Sequence, residues 1–492
     1  MHSKVYGKRF KTIPDNVSGV AVSSHCPRAN CSAHQEIANL EREADETSQT
    51  LIFCEAWEVV HLARPKRAYV YEQPQEEKKL SLTLRLAGVC RQWRAVALSL
   101  PRIWADVHIF MHRQKGEPTL SILRDIIGRS KQANLTIRMH SDPIDELSRI
   151  QQLQPALAIL RKVSKRWRSL QICLPIHIIK DLFTPDMDLS RISSLYLHSN
   201  QDQHSLLFNS DSWHNKSLRP ERLSLDSLTF QSIDIAWDRV THVVAHHFTT
   251  DQAMEVIHSA PNLTSFELMQ ADEESEVTGL YATEIVHENL RHVIYKVLCS
   301  ELIEAETIFS YCLFPSLTRV EHAVLSRTSD DSFMDHLIRN SPPIEELTLC
   351  YSKHQHFYEP EYDILFKRLA GVKSTPPSSD FGSDDDSDWE DDQEIFLPHL
   401  EYLEFDSTWA IPWDLIPALF GSPSDPDRRP LKQFIFKKSE NYGDDHITPK
   451  KDIPPLLDLR KAGFDFQYRD SNLKDRDLFR VSLDFHNLSV PF

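Results

Sequence analysis

The 492-residue sequence predicts an α/β protein, a small N-terminal helical module followed by a curved solenoid of strand-and-helix repeats. Three observations carry this. A short apolar unit recurs through the second half at a spacing in the twenties. Amphipathic helices closed by proline lie between its copies. One amphipathic stretch, 86–104, stands ahead of the array.

The unit is an apolar residue, two spacers, an apolar residue, one spacer and a third apolar residue. It reads Trp167/Leu170/Ile172, Ile192/Leu195/Leu197, Pro220/Leu223/Leu225, Val240/Val243/Ala245 and Leu263/Phe266/Leu268. It continues as Leu290/Val293/Tyr295, Leu317/Val320/His322, Ile344/Leu347/Leu349, Leu400/Leu403/Phe405 and Leu431/Phe434/Phe436. First positions at 263, 290, 317 and 344 are each 27 residues apart. Such a period with such a unit is the signature of leucine-rich repeats. Alternation along each short strand turns its apolar residues inward and leaves the spacers on one exposed face.

Between units the chain reads as helix. Asp251 to Ser259 runs into Ala260-Pro261, and Asp331 to Asn340 runs into Ser341-Pro342-Pro343. In each an Asp stands at the expected N-cap, an apolar stripe follows, and proline stops the helix. Before the array, 107–110 is a strand candidate, 119–130 a helix, 135–139 a strand and 146–167 a helix interrupted near Pro155. Arg161, Lys162, Lys165, Arg166 and Arg168 make a basic patch there, read as a solvated helix face or a dock for an acidic partner. Residues 454–466 read as a final helix and strand that cap the array.

Composition narrows the function. A net charge of −17 argues against nucleic acid as a general partner. Only 11 glycines leave little for phosphate-cradling loops. No apolar run approaches bilayer-spanning length, and the basic N-terminus lacks an apolar core, so neither a membrane span nor a secretory signal is expected. Eight scattered cysteines fit reduced thiols in an intracellular protein, cytoplasmic or nuclear. His25, Cys26, Cys31 and His34 offer four zinc-ligand types, but in a stretch shorter than the separated pairs of structural sites, and read as a free tail. His242, His246 and His247 cluster without carboxylates at ligand spacing. No catalytic motif occurs; the chain reads as a non-enzyme without cofactor or metal. Residues 380–394 hold nine Asp or Glu and no Lys or Arg, more than half of the net charge. That block, within a disordered acidic insertion at 373–394, repels itself. Ser383 and Ser387 precede acidic residues and suit an acid-directed kinase; phosphosite mapping of the native protein tests this.

In the stretch ahead of the array, Leu86, Val89, Trp93, Val96, Ala97 and Leu100 form a helical stripe. Pro101 ends the helix, and Ile103 and Trp104 follow as a second apolar anchor. Arg91, Arg94 and Arg102 face outward, and Cys90 falls in the stripe as a core residue. The pattern Val89-Cys90-Arg91-x-Trp93-Arg94-x-x-Ala97-x-x-x-Pro101-x-x-Trp104 resembles the C-terminal half of an F-box, in the form common among fungal F-box proteins. The resemblance covers about 25 residues directly, and nearly the whole chain with the repeats. It implies docking on the Skp1-type adaptor of a cullin-RING ubiquitin ligase through Val89, Cys90, Trp93, Ala97, Pro101 and Trp104. The repeats would then hold an unidentified target protein. The sequence departs from the family at Leu51–Leu62, which lacks the Leu-Pro opening, so an interaction scaffold without ligase attachment stays open beside the adaptor. The expected divisions are a disordered tail at 1–36, an F-box-like module with a short preceding helix at 37–110, a connecting α/β segment at 111–166 and the solenoid at 167–492.

Overall fold

A computed structural model describes residues 88, 90–111, 117–141, 147–184, 187–199, 213–214, 218–228, 230, 233–269, 284–297, 307–324, 331–351, 362–372, 395–407, 411–421, 428–438, 447–471 and 476–488. The zinc-like motif, the helix read at 37–51, the degenerate half-motif at 51–62 and the acidic insertion lie outside these residues. The chain divides into two compact units, Met1–Ile103 and Trp104–Phe492.

In the first unit, α1 (Arg91–Ser99) starts at Cys90, whose Sγ accepts the Trp93 amide at 3.4 Å. It ends where Pro101 opens a 3-10 turn, Pro101–Trp104. The second unit is built on one sheet of thirteen strands. They are β1 (Asp106–Met111), β2 (Leu135–Ser141), β3 (Trp167–Cys173), β4 (Ser194–His198), β5 (Arg222–Asp226), β6 (His242–His246) and β7 (Ser265–Met269). The rest are β8 (His292–Val297), β9 (Arg319–Val324), β10 (Glu346–Tyr351), β11 (Tyr402–Ser407), β12 (Gln433–Lys438) and β13 (Asp465–Asp470). Every strand pairs in parallel with the next one in the chain. The connections carry α2 (Glu117–Arg129), α3 (Leu147–Arg161), α4 (Ile176–Leu182), α5 (Thr250–Ser259), α6 (Ile308–Tyr311) and α7 (Asp331–Asn340). Later ones carry α8 (Tyr362–Leu369), α9 (Ile416–Leu419) and α10 (Ile453–Lys461), and α11 (Leu478–Phe485) follows β13.

This architecture corrects the expected fold class. Instead of a helical module followed by a curved leucine-rich-repeat solenoid, the described residues form an α/β body on one large all-parallel sheet, which starts at Asp106 directly behind the Pro101–Trp104 turn. The reason is physical. The apolar unit reports only that alternate residues of a strand are buried on one side, which any parallel strand with one covered face shows. The connections do not repeat: they range from the 4-residue α6 to the 15-residue α3. The unit therefore located the strands without defining the class.

Strand positions follow the sequence closely. All thirty positions of the ten units are buried. Parallel strands joined in chain order cross over with one hand, which sends their helices to the same side. Neighbouring helices touch accordingly, α2 with α3, α3 with α4, α5 with α6, α6 with α7, α8 with α9 and α9 with α10. The core lies between that layer and the inward strand residues. Its aromatic part runs from Phe366 on α8 to Phe405 (5.2 Å between ring centroids), then to Phe436 (6.1 Å) and Tyr468 (5.0 Å). His322, at the third position of its unit, is fully buried and stacks on Phe333 at 4.3 Å. Truncating Phe405 to alanine empties the middle of this row, and about 4 kcal/mol of stability should be lost in urea denaturation.

Two local expectations shift. Thr249, not Asp251, caps α5, its Oγ1 accepting the Gln252 amide at 3.3 Å. Part of the basic patch is structural: Arg166 donates to Ala133 O (3.0 Å) and Ser130 Oγ (2.6 Å), and Arg161 donates to Leu182 O (3.3 Å). A third arginine has a larger task. Arg429 is buried and donates to four carbonyls, Leu369 O (2.7 Å), Phe396 O (2.6 Å), Leu397 O (3.2 Å) and Leu419 O (3.2 Å). It closes the C-termini of α8 and α9, whose last carbonyls lack helical partners.

Candidate functional site

The residues expected to bind an adaptor are differently placed. Val89 lies outside the described residues. Cys90 is exposed, which corrects its reading as a core residue: it is the N-cap and so stands outside the helical stripe. Trp93 and Pro101 are half-buried, while Ala97 and Trp104 are buried. Arg129 stacks its guanidinium 5.2 Å above the Trp104 ring, so this tryptophan serves packing within its own unit. Arg91, Arg94, Arg102 and the apolar Leu98 are exposed.

The larger site is the face of the sheet opposite the described helices. It presents every second strand residue, and pairing in register aligns these into rungs across the strands. Two places concentrate titratable groups. At the carboxyl ends of the strands, one rung brings together Cys173 of β3, His198 of β4, Asp226 of β5 and His246 of β6. Nδ1 of His198 lies 2.8 Å from Oδ2 of Asp226, and both side chains are buried. Ser227 and His247, each just past its strand, have φ of 54° and 58°, a left-handed turn at the strand end. Nε2 of His247 thereby comes to 3.9 Å from Oδ1 of Asp226.

Burial opposes a charge on His198, but Asp226 and a hydrogen bond with Cys173 outweigh it and raise its pKa to about 9. Burial likewise opposes ionisation of Asp226, and His198 outweighs it, holding the carboxyl below its ordinary value. Burial keeps His246 below the usual imidazole range. The pair therefore stands as imidazolium and carboxylate at neutral pH. A histidine raised in the folded state stabilises fully below its unfolded pKa, and that contribution is lost as pH rises through about 9. Melting temperature should fall over this alkaline range in the parent chain and fall less in His198→Gln.

The second place lies over β9–β11. Arg319, Glu321, Glu346, Thr348, Tyr402 and Glu404 line a depression of about 370 Å³. Lys296 pairs with Glu321 (2.5 Å) and Arg319 with Glu346 (3.2 Å), while Lys437 pairs with Glu404, which also accepts the Tyr402 hydroxyl. Glu267 on β7 and Asp406 on β11 stand on the same face.

Sequence reasoning found His242, His246 and His247 but missed Asp226, His198 and Cys173, because each stands on a different strand. The signal was the residue after the third apolar position of each unit: Cys173 after Ile172, His198 after Leu197, Asp226 after Leu225. Among the described residues, no group of three or more His, Cys, Asp or Glu is placed to hold a metal ion. The described cysteines, Cys90, Cys173, Cys312 and Cys350, are free thiols, and burial pushes the Cys312 thiol up to about 12. No helix among the described residues is long and apolar enough to cross a membrane. Compared with known proteins, the chain matches no family model and no curated protein.

Proposed function

We propose that this chain is a protein-recognition subunit that holds its partner against the face of the sheet opposite its described helices. The observation that supports this is the face itself, a wide array of polar and charged side chains fixed in register on paired strands. Rigid elements suit recognition because their side chains are ordered before the partner arrives. The resemblance of 89–104 to an F-box extends the reading. The chain acts inside the cell, in the cytoplasm or nucleus, without catalysis, cofactor or metal. It recruits a target to a Skp1–cullin–F-box ubiquitin ligase, and the α1 segment contacts the Skp1-type adaptor. Neither nucleic acid nor membrane is its partner. The exposed Leu98 and arginines of α1 favour such a contact. The missing Leu-Pro opening favours the second reading, an interaction scaffold without ligase attachment.

Size-exclusion chromatography with a purified Skp1-type adaptor separates the two. The adaptor reading expects comigration with the intact chain and its loss in Leu98→Asp. No comigration, where a bona fide F-box protein comigrates, leaves the scaffold. Recognition through the face is tested by a photo-crosslinker at Thr348 or at the exposed α5 position His258. A native partner should be caught at Thr348 and not at 258; the reverse pattern removes the face as the site.

A further inference from the structure

We infer that the depression over β9–β11 receives a lysine or arginine side chain from an extended segment of the partner protein. This rests on the reading of that sheet face as the recognition surface, and it adds the chemistry of what is recognised. Across β7–β12 that face carries five carboxylates, Glu267, Glu321, Glu346, Glu404 and Asp406, against three cations, Lys296, Arg319 and Lys437. All three cations are already matched, to Glu321, Glu346 and Glu404. The surplus is negative.

Neighbouring groups register that surplus. Burial, and after it the charge of Glu321, raises the pKa of Glu267. Burial, followed by Asp406, Glu321 and, more weakly, Glu404, pushes the Cys350 thiol up to about 12. Burial and the hydrogen bond to Glu404 raise Tyr402. A cation held on this face relieves this repulsion. The hollow, about 370 Å³, is lined by three carboxylates and one guanidinium, with the Tyr402 ring in its wall. Carboxylates beside an aromatic ring suit a guanidinium best, because its planar fork bonds carboxylates in pairs while its face stacks on the ring. An extended segment directs every second side chain at the surface on which it lies, so basic residues at alternate positions follow one another along the face.

The test uses the full chain and a fluorescein-labelled nonapeptide alternating arginine and serine, with a glutamate–serine peptide as its counterpart. The arginine peptide should bind, more weakly as salt rises, and the glutamate peptide should not. The E346Q/E404Q variant should weaken binding about tenfold. Thr348→Arg, which puts a cation of the chain's own into the hollow, should do the same with an unchanged melting temperature, and this covers the case in which E346Q/E404Q does not fold. Residues 380–394 also attract cations, so every measurement is repeated with their carboxylates replaced by Asn and Gln. The tenfold losses should persist in that background. Equal binding by parent and Thr348→Arg, or binding abolished by neutralising 380–394 alone, overturns the inference. If Thr348 crosslinks a partner that the arginine peptide does not displace, the face remains the recognition surface and the basic segment is excluded.

Discussion

Replacing Arg429 by methionine should destabilise the protein by about 3 kcal/mol, read as a lower urea midpoint at an unchanged slope. The guanidinium is only 6% exposed and donates to four carbonyls from three stretches of chain. No carboxylate is among those partners; burial costs enough to bring its pKa down to about 10. Methionine fills a similar volume but strands the carbonyls at the ends of α8 and α9, and an unmet buried acceptor costs more than a hydrogen bond ordinarily contributes. Arg429→Lys should recover less than half of the loss, because a single ammonium cannot reach acceptors arranged for a planar fork. Full recovery by lysine would show that charge, not the fork, is what the site requires.

The second large effect is acid sensitivity centred on His336. This side chain of α7 is fully buried against Phe309 and Phe314, with ring centroids 5.4 Å away in each case. Burial, with Arg339 nearby, lowers its pKa to about 4. The unfolded chain therefore binds this proton first. The neutral histidine's contribution is intact above about pH 6.5 and is lost progressively as pH falls to about 4. The fall should reach about 3 kcal/mol, because each pH unit between the unfolded and folded values contributes about 1.36 kcal/mol. Stability measured from pH 7.5 to 4 should drop steeply in the parent and more gently in His336→Asn. Parallel curves would place the acid sensitivity elsewhere. His198 acts at the other end of the scale and with the opposite sign.

What the sequence disclosed divides along physical lines. Burial is local, so it was readable. The second and third positions of each unit, from Leu170 and Ile172 to Phe434 and Phe436, lie on strands and face inward, and even the polar His322 keeps its inward place. Class was not readable, because alternation on one strand says nothing about how many strands join or what the connections become. The sites were less legible still. Asp226 meets His198 only after the connection from β4 to β5 has been folded, and the hollow over β9–β11 needs Tyr402 beside Glu346, which a long stretch of chain separates. At Cys90 the helical period was right, but it extended one residue beyond the helix, into the cap.

Arg429 also bears on how this chain can change. Its four bonds reach Leu369 on one flank of residues 373–394 and Phe396 and Leu397 on the other. β10 pairs with β11 as evenly as any other neighbours, despite the sequence between them. The two flanks are thus cinched by a side chain that belongs to neither. The pairing of β10 with β11 is held from outside that segment, and the entropy of closing a longer connection rises only slowly with its length. The 373–394 segment is a natural graft point, where an epitope or a fluorescent domain can be carried while the sheet stays in alignment.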